Sequence, residues 1–320
     1  PVAASGARSM SSFWAFPGQG AQQAGMLHAL PNSPLIDECL REASDALNED
    51  VRVLDSYEAL QSTRAVQLCL LIAGVACSRL LMAQAIKPDY VAGLSIGAYP
   101  AAVIAGAVSF ADAVRLVALR GELMQNAYPQ GYGMTALIGL DQGTVEALIQ
   151  QIHGPGTPVY LANINADNQF VIAGSVEAMA NVAALAKEKG AAAAKRLAVS
   201  VPSHCELLSE PAQTLADAFA QVSIQAPTLK YLSGSTARPL FTADKLRDDL
   251  AFNMCRVIDW RSTVQTAYER GARLQIELPP GTVLTGLGRK VFEQGSAVAF
   301  QGARLDTLSA LSREEERRHP

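Results

Sequence analysis

The sequence predicts an α/β fold: a larger domain with a parallel-sheet core, interrupted by a smaller α+β domain of ferredoxin-like pattern. Two observations carry this. Strand–turn–helix units stand near both ends of the chain, SSFWAFPGQG and YVAGLSIGAYPAAVIAGA early, RLQIELPPGTVLTGLGRKVF late. Such units are what a parallel sheet with helical crossovers needs. Between them the texture changes near Gly131, and the order becomes β-α-β-β-α-β up to Ser200, the split ferredoxin-like pattern. The expected layout is a disordered leader over 1–11, a large domain over 12–130 and 200–305, the small domain over 131–199, and a solvated, frayed tail over 306–320.

Taken in order, SSFWAF is a short aromatic strand that ends in the turn Pro17-Gly18-Gln19-Gly20. Helices are expected over roughly Gly25 to Leu30 and from Pro34 to Leu47. TRAVQLCLLIAGVACSRLLMAQA is apolar on nearly every face, so it reads as a buried helix. Lys87-Pro88-Asp89 is a turn, YVAGLS a buried strand and GAYPAAVIAGA its helix. The next helix starts at Ser109 or Asp112 and ends before Pro129. In the small domain, MTALIGL, PVYLANINA, QFVIAG and AAKRLAVS are strands; DQGTVEALIQQI and SVEAMANVAALAKEKG are capped helices. VPSHCELLSEPAQTLADAFAQV then reads as a helix.

Bulk properties exclude several classes. The net charge of −4 supplies no basic field, so nucleic acid is not an expected partner. Five scattered cysteines without a CxxC pair suggest reduced thiols in the cytosol, neither a disulfide frame nor a zinc site. The apolar run around Leu68 to Ala76 is interrupted by Cys, Gly and then Arg79 and is too short to span a bilayer. GLGRK lacks the spacing of a phosphate-binding loop.

The stretch Gly93-Leu94-Ser95-Ile96-Gly97 admits a plain turn or a nucleophile elbow, in which a strand turns sharply into a helix and exposes a serine hydroxyl. A serine needs a base, most often histidine. Of four histidines, His319 lies in the charged tail, His153 opens a turn of the small domain, and His28 follows the first turn. His204, between a predicted strand and helix, remains. Its orienting group is either the acid Asp259 or a carbonyl; the order Ser, His, Asp differs from that of ordinary α/β-hydrolases. Acyl chemistry also needs donors for the developing oxyanion. The amides of Ile96, after the elbow, and Gln19, between two glycines, are the candidates.

The ordered set FPGQG, GLSIGAY, RGELMQ, VPSHC and ELPPGTVLTGL resembles the malonyl-CoA:acyl-carrier-protein transacylases, including the acyltransferase domains of fatty-acid and polyketide synthases. The resemblance runs from Phe13 to about Phe300. It implies a hydrolase-like α/β domain carrying the ferredoxin-like insert. It makes Ser95 the acylated nucleophile, His204 the base, and the Gln19 and Ile96 amides the oxyanion hole. Arg120 matches the arginine that grips the malonyl carboxylate, and Asp259 falls where a residue's carbonyl holds the histidine. Malonyl-CoA is then a substrate with no resident cofactor, and the partner is an acyl carrier protein with a phosphopantetheine-type thiol arm.

Three positions depart from the family's common pattern: Leu94 replaces a histidine, Ala98 a glutamate, and Ser203 a phenylalanine. Ser203 leaves room that puts strict malonyl selectivity over methylmalonyl in question. GLSIGAYPA with VPSHC and ELPPG is most similar to the malonyl transacylase (epsilon) subunit of malonate decarboxylase, which implies other subunits of that complex as partners. The rival readings are a fatty-acid or polyketide transacylase, a serine thioesterase, and a non-catalytic scaffold.

Overall fold

The computed structural model describes residues 12–318; the leader expected over 1–11 lies outside them. β1 (Ser12–Phe16) is buried at every position. α1 (Pro34–Leu47) starts where Ser33 accepts from the Leu35 amide with Pro34 in its first turn, and ends at Asn48 in the left-handed region. α2 (Thr63–Ala83) is capped by the Ser62 hydroxyl. Its length and mean hydropathy of 1.9 match a membrane span, yet 89% of its apolar window is buried inside the protein, as the uniformly apolar sequence of a core helix requires. β2 (Tyr90–Gly93) leads through a single 3₁₀ turn into α3 (Ala98–Ile104). α4 (Phe110–Ala127) begins at the Ser109 cap.

The middle of the chain forms β3 (Tyr132–Ile138), α5 (Gln142–Ile152), β4 (Val159–Ala166), β5 (Gln169–Ser175), α6 (Val176–Glu188) and β6 (Ala193–Arg196). The remainder supplies α7 (Ser209–Phe219), β7 (Lys230–Leu232), β8 (Pro239–Leu240), α8 (Ala243–Phe252), β9 (Ile258–Asp259), α9 (Trp260–Glu269), β10 (Leu274–Glu277), α10 (Val283–Val291), β11 (Ser296–Ala299) and α11 (Leu305–Arg318).

Among the described residues these strands make two sheets. The larger has the order β11-β10-β1-β2-β7-β8, parallel from β11 to β7. Side chains of a strand alternate between faces, and here both faces are covered. Trp14, Phe16 and Val91 join the core under α1, α2, α3 and α4, whereas Phe13, Ala15, Tyr90 and Ala92 pack against Trp260, Val264, Leu287 and Phe292. The smaller sheet has the order β6-β3-β5-β4-β9. Its first four strands pair antiparallel as the β-α-β-β-α-β reading requires. The α/β fold with a parallel core and a smaller second sheet is as the sequence predicts. One face of the small sheet packs on α5 and α6 through Leu137, Val145, Phe170, Ile172 and Val182. The other presents Met134, Ala162, Val171 and Ala173 beside Cys205.

Several local expectations change. β9 comes from the last third of the chain yet pairs parallel with β4, Asn163 opposite Ile258, so the small sheet is completed from outside the 131–199 segment. Residues 24–29 form turns instead of a helix. The buried Asp55 carboxylate accepts from the Leu27 and His28 amides and lies 2.7 Å from His28 Nδ1, so it takes amides that a continuing helix would bond internally. Residues 201–205 are irregular, Glu206–Leu208 make a 3₁₀ turn, and the α-helix starts only at Ser209. The charged end forms α11, with Leu308 buried, in place of the frayed tail expected; its apolar side was masked by the charges opposite. Among the described residues all five cysteines are free thiols.

Candidate active site

β1 and β2 are adjacent parallel strands, so their C-terminal ends lie side by side. The chain leaves β2 with Ser95 at φ 61°, in the left-handed region that costs a non-glycine residue about 1–3 kcal/mol. The neighbouring glycines are sterically required. A Cβ on Gly93 would overlap the Gly97 carbonyl, and one on Gly97 would overlap the Phe16 carbonyl. A Cβ on Gly18 would lie 2.6 Å from the Leu94 oxygen. The Pro17–Gly20 turn therefore sits directly against the elbow. Gln19 and Ile96 line the same cavity as Ser95, and the amide of Ile96 opens a helical turn, where N–H groups have no partner within the helix.

That cavity, about 290 Å³, lies between the two sheets. Its floor is the elbow with Gln67 and Met124; its roof is Met134, Ala136, Asn163 and Val171 from the small sheet, with Leu197 just past β6. Ser203 and His204 reach it from the irregular segment before α7. His204 has φ 66°, is buried, and donates its backbone N–H to the Met254 carbonyl at 2.7 Å. Its Nδ1 lies 2.8 Å from the Asn253 carbonyl. A carbonyl only accepts, so Nδ1 carries the proton and Nε2 holds the basic lone pair. Burial lowers the His204 pKa to about 4; the Asn253 carbonyl opposes the shift and the Arg120 charge adds to it. The imidazole is a neutral base at physiological pH.

Arg120, on α4, is fully buried. Nη1 donates to Gln67 Oε1 at 2.9 Å, Nη2 to Asn253 Oδ1 at 2.8 Å, and Nη2 also to Ser95 Oγ at 3.4 Å. The guanidinium lies 5.6 Å from the centre of the Tyr99 ring. Nε is buried with no partner among the described residues. α4 reaches this depth because Gly121 lets it approach α2: a Cβ there would lie 2.6 Å from Arg64 Cα. All the partners of Arg120 are neutral. A buried cation without a counter-charge is costly, and burial lowers its pKa, yet guanidinium keeps its charge. The arrangement sets a buried positive charge next to a serine hydroxyl.

The structure thus brings Ser95, His204, Gln19 and Ile96 to one cavity, with Arg120 buried behind it and reaching Ser95 Oγ. It does not bring Asp259. That carboxylate caps α9, accepting from the Ser262 amide at 3.0 Å, while its own amide donates to the Gly234 carbonyl. The group on the imidazole is the Asn253 carbonyl, six residues earlier, because the 3₁₀ turn after α8 carries it under His204. The reading of Asp259 as the orienter is corrected accordingly. Asn253 also donates from Nδ2 to the Ser95 carbonyl at 3.2 Å, so a single residue touches nucleophile, base and arginine. Sequence reasoning missed it, and it missed Gln67. The available signal for Gln67 was an amide within an otherwise apolar helix, since buried polar groups are informative; AFNMC offered none for Asn253.

With this geometry in view, residues 13–317 match the family model described as "Acyl transferase domain". The malonyl CoA-acyl carrier protein transacylase of Salmonella typhimurium is 38% identical over 291 residues, 89% of this chain and 94% of that protein. The chain belongs to the malonyl-CoA:acyl-carrier-protein transacylase family. It is an acyltransferase. The transacylase of Bacillus subtilis is 32% identical, with 94% of this chain and 96% of that one aligned. Among solved structures, the transacylase from Coxiella burnetii superposes with a TM-score of 0.88 at 34% identity, covering 98% of both chains. A malonyl-transacylase solved in complex with a type II PKS acyl-carrier protein gives 0.89 at 35% identity, with 95% of this chain and 99% of that one covered.

Proposed function

We propose that this acyltransferase moves a malonyl group from malonyl-CoA to the thiol of an acyl carrier protein through a malonyl-Ser95 ester. The observation that carries the reading is Arg120: a fully buried guanidinium with only neutral partners, 3.4 Å from the Ser95 hydroxyl oxygen. A carboxylate two bonds from the reacting carbonyl is the acyl group such a receptor selects, and guanidinium binds it with charge-assisted hydrogen bonds.

In the first half-reaction the malonyl carboxylate rests on Arg120. Ser95 Oγ attacks the thioester carbonyl while its proton passes to His204 Nε2. The oxyanion is held by the Gln19 and Ile96 amides, donors whose individual loss typically costs about 10²–10³ in rate. The tetrahedral intermediate collapses, the C–S bond breaks, and CoA leaves as its thiol with the proton from His204. In the second half the carrier's thiol gives its proton to His204 and attacks the ester. Ser95 leaves and regains its proton. The Asn253 carbonyl keeps Nδ1 as the protonated nitrogen and steadies the transient imidazolium. Ping-pong kinetics follow.

The carrier is of the fatty-acid or polyketide type, a reading supported by the names of the relatives. A second reading, the transacylase subunit of malonate decarboxylase, rests on Leu94, Ala98 and Ser203. Mass spectrometry of the intact protein after exposure to malonyl-CoA tests the first step: one malonyl group on Ser95, absent from Ser95→Ala. Discharge onto a phosphopantetheine carrier, against one bearing a dephospho-CoA-derived arm, separates the two readings. Free malonate released without acceptor at the rate of acylation would make the protein a thioesterase. No adduct at all would overturn the proposal.

A further inference from the structure

Asn253 connects the nucleophile, the base and the arginine, so whatever fixes Asn253 fixes the site. It follows the last turn of α8, and its amide donates to the Asp249 carbonyl. The side chain of Asp249 points into the core, where it is 5% exposed. Oδ2 accepts from the Tyr231 hydroxyl at 2.7 Å and Oδ1 from Ser233 Oγ at 2.6 Å. Ser233 Oγ itself accepts from the amides of Ser235 and Thr236, both at 3.1 Å, so its one proton goes to the carboxylate. Tyr231 lies on β7, paired with Val91 of β2, the strand that ends in the elbow. On the other side the Tyr99 hydroxyl, four residues past Ser95, donates to the Leu250 carbonyl at 2.7 Å.

The last turn of α8 is therefore tied to the strand beside the elbow and to the helix after it. A buried carboxylate is an expensive way to fill a core, and an apolar side chain would serve packing better. What a carboxylate with two short, directed donors supplies is a fixed position. We propose that Asp249 is a positioning residue: through the Tyr231 and Ser233 hydroxyls it sets the height of Asn253, and thereby of the His204 ring and the Arg120 guanidinium, relative to Ser95. This rests on the reading of His204 as the base of a malonyl transfer. Asp249 touches none of the reacting atoms.

Asp249→Asn keeps an oxygen for the Ser233 hydroxyl but sets an amide N–H against Tyr231, whose hydroxyl must then accept and turn its own proton into a buried site. The variant should stay folded and acylate Ser95 about tenfold more slowly, within the range that small misplacements of catalytic groups produce, with KM for malonyl-CoA changing less than about threefold. The His204 Nδ1 proton resonance should move, because its acceptor moves. Ser233→Ala and Tyr231→Phe each remove one donor and keep the acid; smaller losses in the same direction are expected, and they carry the test if Asp249→Asn does not fold. A folded variant with wild-type kcat, or a His204 resonance unchanged in all three, overturns the inference. A wild-type protein that accepts no malonyl group would count against the proposed function instead, while the resonance still reports on Asp249.

Discussion

Arg120→Met tests the substrate reading most directly. Methionine keeps most of the volume and removes the charge and all donors. In the wild type the guanidinium is fully buried and donates to Gln67, Asn253 and Ser95 oxygens. Two stability effects oppose one another. Gln67 Oε1 and Asn253 Oδ1 each lose a donor, at about 1–3 kcal/mol apiece. The desolvation penalty of a buried cation, several kcal/mol, is relieved. The melting temperature should change little. Binding is different, because a malonyl carboxylate entering the mutant finds no counter-charge. Losing one partner of a buried, hydrogen-bonded charge pair costs about 3–5 kcal/mol, which at 1.4 kcal/mol per decade is roughly 10²- to 4 × 10³-fold in kcat/KM. Acetyl-CoA has no charge to miss and should lose less than about tenfold, through the disturbed Asn253. The assay is the rate of Ser95 acylation by each thioester, followed by intact-protein mass spectrometry. Equal losses for the two acyl groups would refute the assignment of Arg120 to the carboxylate.

The depressed pKa of His204, about 4 against an ordinary 6.5, predicts a malonyl-CoA kcat/KM that stays flat from pH 8 down to about 5; an acid limb at pH 6.5 would show an imidazole exposed to solvent. The same shift acts on stability. Below pH 6.5 the unfolded chain takes up a proton that the folded one refuses until about pH 4, so stability falls across that window by about 3 kcal/mol in total, and urea midpoints at pH 7 and pH 4.5 measure it. Asp259→Ala should lose about 1 kcal/mol of stability through the missing cap of α9, with acylation within twofold of wild type; a hundredfold loss of rate would restore Asp259 as the orienter. Gly93→Ala drives a Cβ into the Gly97 backbone, which no rotamer change relieves, so a melting temperature near wild type would contradict the packed elbow.

The elbow was legible because its requirement is local. A serine between two glycines after an apolar strand announces a backbone too crowded for a Cβ, and the structure places both glycines in such contact. The periodicities of β3 through β6 were legible for the same reason, since the alternation of faces is written residue by residue. Residues 24–29 were misread as helix because their order comes from Asp55, a residue far along the chain whose carboxylate gathers their amides. α11 was misread because charge outweighs a narrow buried side.

By itself the sequence determined the α/β class and, through the spacing of several motifs, the family; it left Ser95 as a turn or an elbow and His204 as the histidine remaining by elimination. Tertiary structure alone decided three things. Asn253, not Asp259, holds the imidazole; among the described residues Arg120 has no counter-ion; and β9 closes the small sheet beside β4. Each depends on which distant atoms meet, and a backbone carbonyl has no residue type to betray it. A side chain's chemistry can be read from its letter, but the company it keeps is set by the packing of the whole chain.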